Sequence, residues 1–214
     1  RAGIPVLEGT RTGLLAFRHL FELRDHRALP PLAPPEPAPA EVRERWRARL
    51  SSGEPLGELE GLALLSDFGL PAVPARSASS LEEAAEAARE LGFPVVLKTA
   101  APGVLHKSDV GGVRLGIGGE EELAAAYGEL SGRLGPRVTV ARMAPPGVEL
   151  HLGIVRDAQF GPLVMVAAGG VLVELLADRR LALPPLDEPR ARRLVDGLRI
   201  RPLLDGVRGR PPAD

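Results

Sequence analysis

Six prolines fall within the ten positions Pro30 to Pro39, and neither helix nor sheet can run through such a stretch. Each proline fixes its own φ and lacks the N–H that a helix or a strand ladder requires. Leu29–Ala40 is therefore expected to be an extended, semi-rigid spacer of roughly 3 Å per residue. An SH3-type ligand is the functional alternative; a linker between two ordered blocks is the simpler reading.

The chain divides around it. Residues 1–28 begin with a short strand-like run, Gly3-Ile4-Pro5-Val6-Leu7, then a turn at Glu8-Gly9-Thr10. A helical pattern follows, with Leu14, Leu15, Phe17, Leu20, Phe21 and Leu23 as its apolar residues. That is too little to fold alone, and reads as the last strand and helix of a domain that starts upstream of Arg1. Residues 29–55 form the spacer and a short helix, and the main domain is expected over 56–214.

Within it, Leu59–Phe68 reads as a helix stopped by Gly69 and Pro71, and Val73–Arg76 as a strand. Ser80-Leu81-Glu82-Glu83 has the form of a capping box opening a helix that Gly92 ends. Strands are expected at Pro94–Thr99 and Val113–Ile117, and a helix at Glu120–Leu130. Four strands then follow at Val138–Met143, Val148–Val155, Pro162–Ala167 and Val171–Leu176. Asp187 caps a last helix through Leu198. Helix–strand units giving way to a run of strands indicate an α+β domain, not a doubly wound parallel sheet.

Composition excludes several functions. A net charge of −1 argues against a nucleic-acid partner, and the arginines of Arg43–Arg49 and Arg190–Arg193 are interleaved as on solvated helix faces. No apolar run approaches the ~20 residues that span a bilayer. The absence of cysteine removes disulfides, thiolate chemistry and cysteine-bound zinc, and a cytoplasmic setting is expected. Aromatics at 3% leave little for stacking platforms.

Of 27 basic residues only Lys98 and Lys107 are lysine. Arginine bias of this kind follows a GC-rich coding background, so lysine at two nearby sites points to positions where arginine does not serve. Lysine is a compact point charge with rotatable donors, suited to a crowded phosphate pocket, whereas arginine is a rigid fork. Lys98 ends an apolar strand, where its ammonium needs a partner. The following loop carries His106-Lys107-Ser108-Asp109 and then Gly111-Gly112, whose backbone N–H groups could converge on an anion. The plain alternatives are chance clustering and a polar hairpin turning at the glycine pair.

The segment "GFPVVLKTAAPGVLHKSDVGGVRLGI" resembles the ATP-grasp module of the NDP-forming acyl-CoA synthetases, which include the ADP-forming acetate–CoA ligases. The resemblance runs on through "ARMAPPGVELHLGIVRDAQFGPLVMVAAGGVLVELLAD" and "PLLDGVRGRPPAD", covering about Leu56 to Asp214. In addition, "GIPVLEGTRTGLLAFRHL" looks like the end of the flavodoxin-like CoA-ligase domain that precedes the module in single-chain members. The implied fold is an incomplete ATP-grasp domain, which holds ATP or ADP with Mg²⁺ between two α+β lobes.

By the same resemblance, Lys98 matches the strand lysine that contacts the nucleotide phosphates. His106 matches a loop histidine that receives phosphate from a phosphohistidine of the CoA-ligase domain and passes it to ADP; neutral imidazole is a competent nucleophile. Lys107, Ser108, Gly111 and Gly112 complete that loop. The Met143–Gly147 stretch would be the hinge presenting backbone groups to adenine. Glu149, in the family-like "PPGVEL", is a nucleotide-site carboxylate, while His151 reads as part of a solvated sheet face. Ala168-Gly169-Gly170 reads as a second close-approach turn. Asp157 and Glu174 are weak magnesium candidates, and the metal ligands are left unassigned.

The implied partners are the CoA-ligase domain of the same longer chain and a small acyl-CoA or carboxylate substrate; a homo-oligomer is compatible with the sequence. The family module continues past the Arg-Gly-Arg-Pro-Pro segment, so the sequence reads as a fragment unable to complete the reaction alone. The rival reading is a ligase-like regulatory nucleotide- or CoA-binding module of a protein lysine acetyltransferase.

Overall fold

The computed structural model describes residues 9–33, 35–104, 106–170, 176–207, 209 and 211–213. Two compact units are present, one made of residues 37–147 and the other of residues up to 36 together with those from 148 onward.

Helix α1 (Thr10–Arg27) belongs to the other unit, and the 37–147 unit opens with α2 (Ala40–Leu50) and α3 (Glu58–Asp67). Trp46 is buried and donates its indole N–H to Asp67 Oδ2 at 2.7 Å, tying the two helices together. The arginine-rich run lies on α2, where Arg45 pairs with Asp67 and Arg49 with Glu60. Strands β1 (Ala75–Ala78), β2 (Val95–Thr99), β3 (Val113–Ile117) and β4 (Val138–Arg142) form a sheet of order β1-β4-β2-β3, antiparallel at every pairing.

Because β2 is an inner strand, it reads as a nearly continuous apolar run: Val95, Val96, Leu97 and Thr99 are buried, and Lys98 alone is half-buried. Helices α4 (Leu81–Leu91) and α5 (Glu120–Leu134) supply Ala84, Ala88, Leu123 and Leu130 to one core with Val95, Leu97, Val138 and Val140. Ser80 caps α4 by accepting the Glu83 N–H at 3.2 Å, as the capping box predicts. The reciprocal bond differs by one residue: Glu83 accepts from Ser79 N–H, not from the cap itself.

In the other unit, α1 (Thr10–Arg27) bears out the expected helix, and Leu14, Phe17, Leu20 and Phe21 on it are exposed. The strand expected at Gly3–Leu7 lies outside the described residues. From Leu29 to Pro39 the spacer adopts no helix or strand where described, and only its expected last residue, Ala40, is taken into α2; yet it is not free. Asp187 accepts the Ala33 N–H at 3.3 Å, and Arg190 donates to the Pro30 carbonyl at 3.0 Å.

Strands β5 (Leu150–Asp157), β6 (Gly161–Ala168) and β7 (Arg179–Ala182) make an antiparallel sheet in that order. Most of the strand expected at Val171–Leu176 lies outside the described residues, and β7 was not foreseen. Helix α6 (Glu188–Asp196) is capped as expected by Asp187, which accepts the Arg190 N–H at 3.1 Å; a short α7 (Arg201–Leu204) follows. The core joins Val166, Ala168, Leu198 and Ile200. Alternation on β5 does not bury its apolar side: Leu152 and Ile154 are exposed. Among the described residues, no helix is long and apolar enough to cross a membrane.

Candidate functional site

Lys98 and Lys107 meet on one carboxylate. Glu58, the first residue of α3, receives the Lys98 ammonium on Oε1 at 2.5 Å and the Lys107 ammonium on Oε2 at 2.6 Å. The side chains are 21%, 31% and 24% exposed respectively, shielded enough for the pairing to exceed an ordinary surface ion pair. Burial pushes the Glu58 carboxyl up, but the hydrogen bonds from Lys107 and Lys98 and their charges outweigh it and hold it below its ordinary value. Two ammonium groups against one carboxylate leave a net positive site.

The position of each group follows from the sheet. β2 carries Lys98 one residue before its end, with Val113 opposite on β3 and Thr139 opposite on β4. The loop after β2 returns Lys107 to the same place. A cleft of about 710 Å³ opens there, lined among others by Glu58, Ser77, Gly103, Val104, Lys107 and Thr139.

His106 and Ser108 are exposed on this loop, and the backbone holds the turn: Asp109 N–H donates to the His106 carbonyl at 3.2 Å. The glycine pair contributes differently from the anion cradle expected of it. Gly111 N–H donates to the Ser108 carbonyl at 3.0 Å and Gly112 N–H to the Lys107 carbonyl at 2.7 Å, so both donors are used within the loop. Gly112 also receives a bond on its carbonyl from Thr99 N–H at 2.8 Å. The pair therefore shapes the loop that carries His106 and Lys107.

Met143 follows β4, half-buried, with its N–H on the Pro94 carbonyl at 3.1 Å. Glu149 belongs to the other unit, just before β5. There the expected close-approach turn is present, and Glu149 is what approaches it. Gly169 N–H donates to the Glu149 carbonyl at 2.8 Å, and a β-carbon on Gly169 would lie 2.7 Å from that carbonyl's atoms.

Asp157 is taken up by the β5–β6 turn, accepting the N–H groups of Gln159 at 2.8 Å and Phe160 at 2.9 Å. These bonds hold its carboxyl below the ordinary range. Glu174 lies outside the described residues. Among the described residues, no three histidine or acidic side chains converge to hold a metal ion.

Glu58 is the site residue that sequence reasoning missed. Its only signal was an acid in the first turn of a helix, which normally means no more than complementing the helix dipole.

Residues 47–214 match the ATP-grasp domain family. The ADP-forming acetate–CoA ligase I of Archaeoglobus fulgidus is 39% identical over 173 residues, spanning 77% of this chain and 25% of that protein. The beta subunit of ADP-forming acetate–CoA ligase I of Pyrococcus furiosus is 34% identical over 169 residues, covering 73% of this chain and 71% of the subunit. The dinucleotide-forming acetyl-coenzyme A synthetase 1 of Ca. Korarchaeum cryptofilum, solved with coenzyme A and Ca-AMPCP, superposes with a TM-score of 0.73 at 41% identity, over 81% of this chain and 80% of that one. With Mg-AMPPCP, its phosphohistidine segment pointing towards the nucleotide binding site, the same protein gives 0.68 at 41% identity, over 81% and 78%. The chain thus spans a quarter of the Archaeoglobus ligase and most of the Pyrococcus subunit. It belongs to the ATP-grasp domain family, in the branch shared with the ADP-forming acetate–CoA ligases.

Proposed function

We propose that this chain is the nucleotide-binding part of an NDP-forming acyl-CoA synthetase, which converts acyl-CoA, ADP and phosphate to carboxylic acid, CoA and ATP. The observation that carries this reading is the convergence of the only two lysines on Glu58 at the foot of the loop bearing His106. Such a site has net positive charge, rotatable donors and an exposed imidazole close by in the chain. These are the requirements of phosphoryl transfer by positioning and electrostatics.

In this scheme the CoA-ligase part supplies a phosphohistidine. Its N–P bond breaks as a new one forms to the His106 imidazole, and that bond breaks in turn as a terminal oxygen of ADP attacks phosphorus. The products are ATP and free imidazole. Lys98 faces the nucleotide phosphates, Lys107 offsets charge on the group in transit, and Ser108, Gly111 and Gly112 fix the loop. The Met143 backbone serves adenine, and Glu149, whose backbone carbonyl accepts the Gly169 N–H, supplies a nucleotide carboxylate. Mg²⁺ accompanies the nucleotide in the Korarchaeum protein; the described residues do not by themselves make a site for it, and no step is assigned to the cation.

The test is His106→Ala in the intact protein with its CoA-ligase part. ATP formation from acyl-CoA, ADP and phosphate should be lost while ADP still binds. Unchanged turnover would remove His106 from the mechanism.

A further inference from the structure

The carboxylate between the lysines is, on simple electrostatics, in the wrong place for a phosphate site. It repels phosphate and cancels half of the pair's charge. Its geometry suggests another role. Glu58 stands on a helix, so its short side chain is anchored by backbone that is already ordered. Lysine side chains are long and lose much rotamer freedom when fixed. Lys98 and Lys107 lie 40 and 49 residues away in sequence, on a strand and on a loop, and would repel each other if brought together alone. Each ammonium has three donors and gives one to Glu58, which leaves two on each for a ligand.

We propose that Glu58 is a positioning residue for phosphate recognition: its carboxylate clamps Lys98 and Lys107 side by side, so an incoming phosphate meets two aligned ammonium groups at no further ordering cost. The clamp rests on the nucleotide reading given above and adds to it a residue acting through others. It also links α3 to the His106 loop, because Lys107 follows His106 directly.

The sign of one substitution separates the clamp from repulsion. Glu58→Gln keeps the shape but accepts from only one lysine, while its amide N–H₂ faces the other. ADP titrated calorimetrically into the intact protein should bind about tenfold more weakly in Glu58→Gln. KM for ADP should rise and KM for acyl-CoA should not, which general loss of structure would not produce. Lys107→Met should weaken ADP binding in the native background and have much less effect in Glu58→Gln, because the clamp is already open. Equal or tighter ADP binding by Glu58→Gln overturns the proposal, as does strict additivity of the two changes. If Glu58→Gln does not fold, Glu58→Asp, one methylene too short to reach both ammonium groups, is read in the same way. Should Lys98→Met and Lys107→Met both leave ADP affinity intact, the nucleotide reading itself fails and takes the clamp with it. ADP affinity lost with either lysine but unchanged in Glu58→Gln overturns the clamp alone.

Discussion

A β-carbon on Gly112 would stand 2.6 Å from Cγ2 of Thr99, a residue with no solvent exposure. It would also lie 3.0 Å from the Lys107 carbonyl oxygen and 3.3 Å from Leu134 Cδ1. Leu134 is half-buried and can shift, but the Thr99 side chain is fully buried at the end of β2 and the Lys107 carbonyl closes the loop, so these two do not withdraw easily. Gly112→Ala should therefore cost about 1–3 kcal/mol as an overpacking change. Gly132, exposed in α5 with nothing within 4 Å of an added β-carbon, is the control: Gly132→Ala should stabilise by about 1 kcal/mol through helix propensity. Urea denaturation of the two variants checks the contrast.

The turn at Gly169-Gly170 gives a second graded comparison. At Gly169 the obstacle is the backbone of Glu149, 2.7 Å away; at Gly170 it is Glu149 Oε2, also 2.7 Å away but on a side chain that can swing. Gly169→Ala should lose about 1–3 kcal/mol of stability. Gly170→Ala should lose less, about 1 kcal/mol for its φ of +62, and should chiefly turn the Glu149 carboxylate aside. Thermal melts give the ranking, and it fails if Gly170→Ala proves the more damaging.

The contrast between these two turns and the Glu58 clamp shows what sequence could reveal. Strand β3 and the caps at Ser80 and Asp187 were legible because local chemistry determines them: apolar runs, a hydroxyl or carboxylate before a helix, glycine after one. Lys98 and Lys107 were legible because they are the chain's only lysines. Glu58 was not, because its role is created by partners 40 and 49 residues away and its local pattern is that of any helix start. The loop-closing bonds that Gly111 and Gly112 donate to Ser108 and Lys107 were hidden for a related reason. A glycine pair signals close approach, but sequence does not say whether backbone, side chain or ligand makes it. Similarly, the apolar alternation of β5 is plain, yet whether its face is covered depends on tertiary neighbours.

Acid should act on Asp178, whose side chain is 1% exposed. Burial pushes its carboxyl up, but the nearby backbone N–H groups of Arg199 and Ile200, the latter donating to Oδ2 at 3.0 Å, and the charges of Arg199 and Arg180 more than offset this and hold it below the ordinary range. A carboxylate with a lowered folded pKa contributes stability in full above its unfolded value, near 4, and loses it as pH falls through the folded value. Asp178→Asn should therefore melt below the native protein at pH 7, and the gap should narrow as the pH drops below about 4. A gap that stays constant over that range would show that its ionisation contributes nothing.

Lys98→Arg tests whether the identity of the lysine matters, since the charge is kept. The guanidinium is a planar fork that prefers both oxygens of one carboxylate. Placed at position 98, it would take Oε1 and Oε2 of Glu58 together, and Lys107 would lose the oxygen it now holds at 2.6 Å. The rigid head also fills space beside Thr139, which is buried opposite Lys98 on β4. Both effects disturb the alignment of the two ammonium groups without changing net charge. ADP affinity should fall about tenfold by calorimetry on the intact protein, with little change in melting temperature. If affinity is instead retained, charge alone governs the site, and the scarcity of lysine elsewhere in the chain has no bearing on why it is found at position 98.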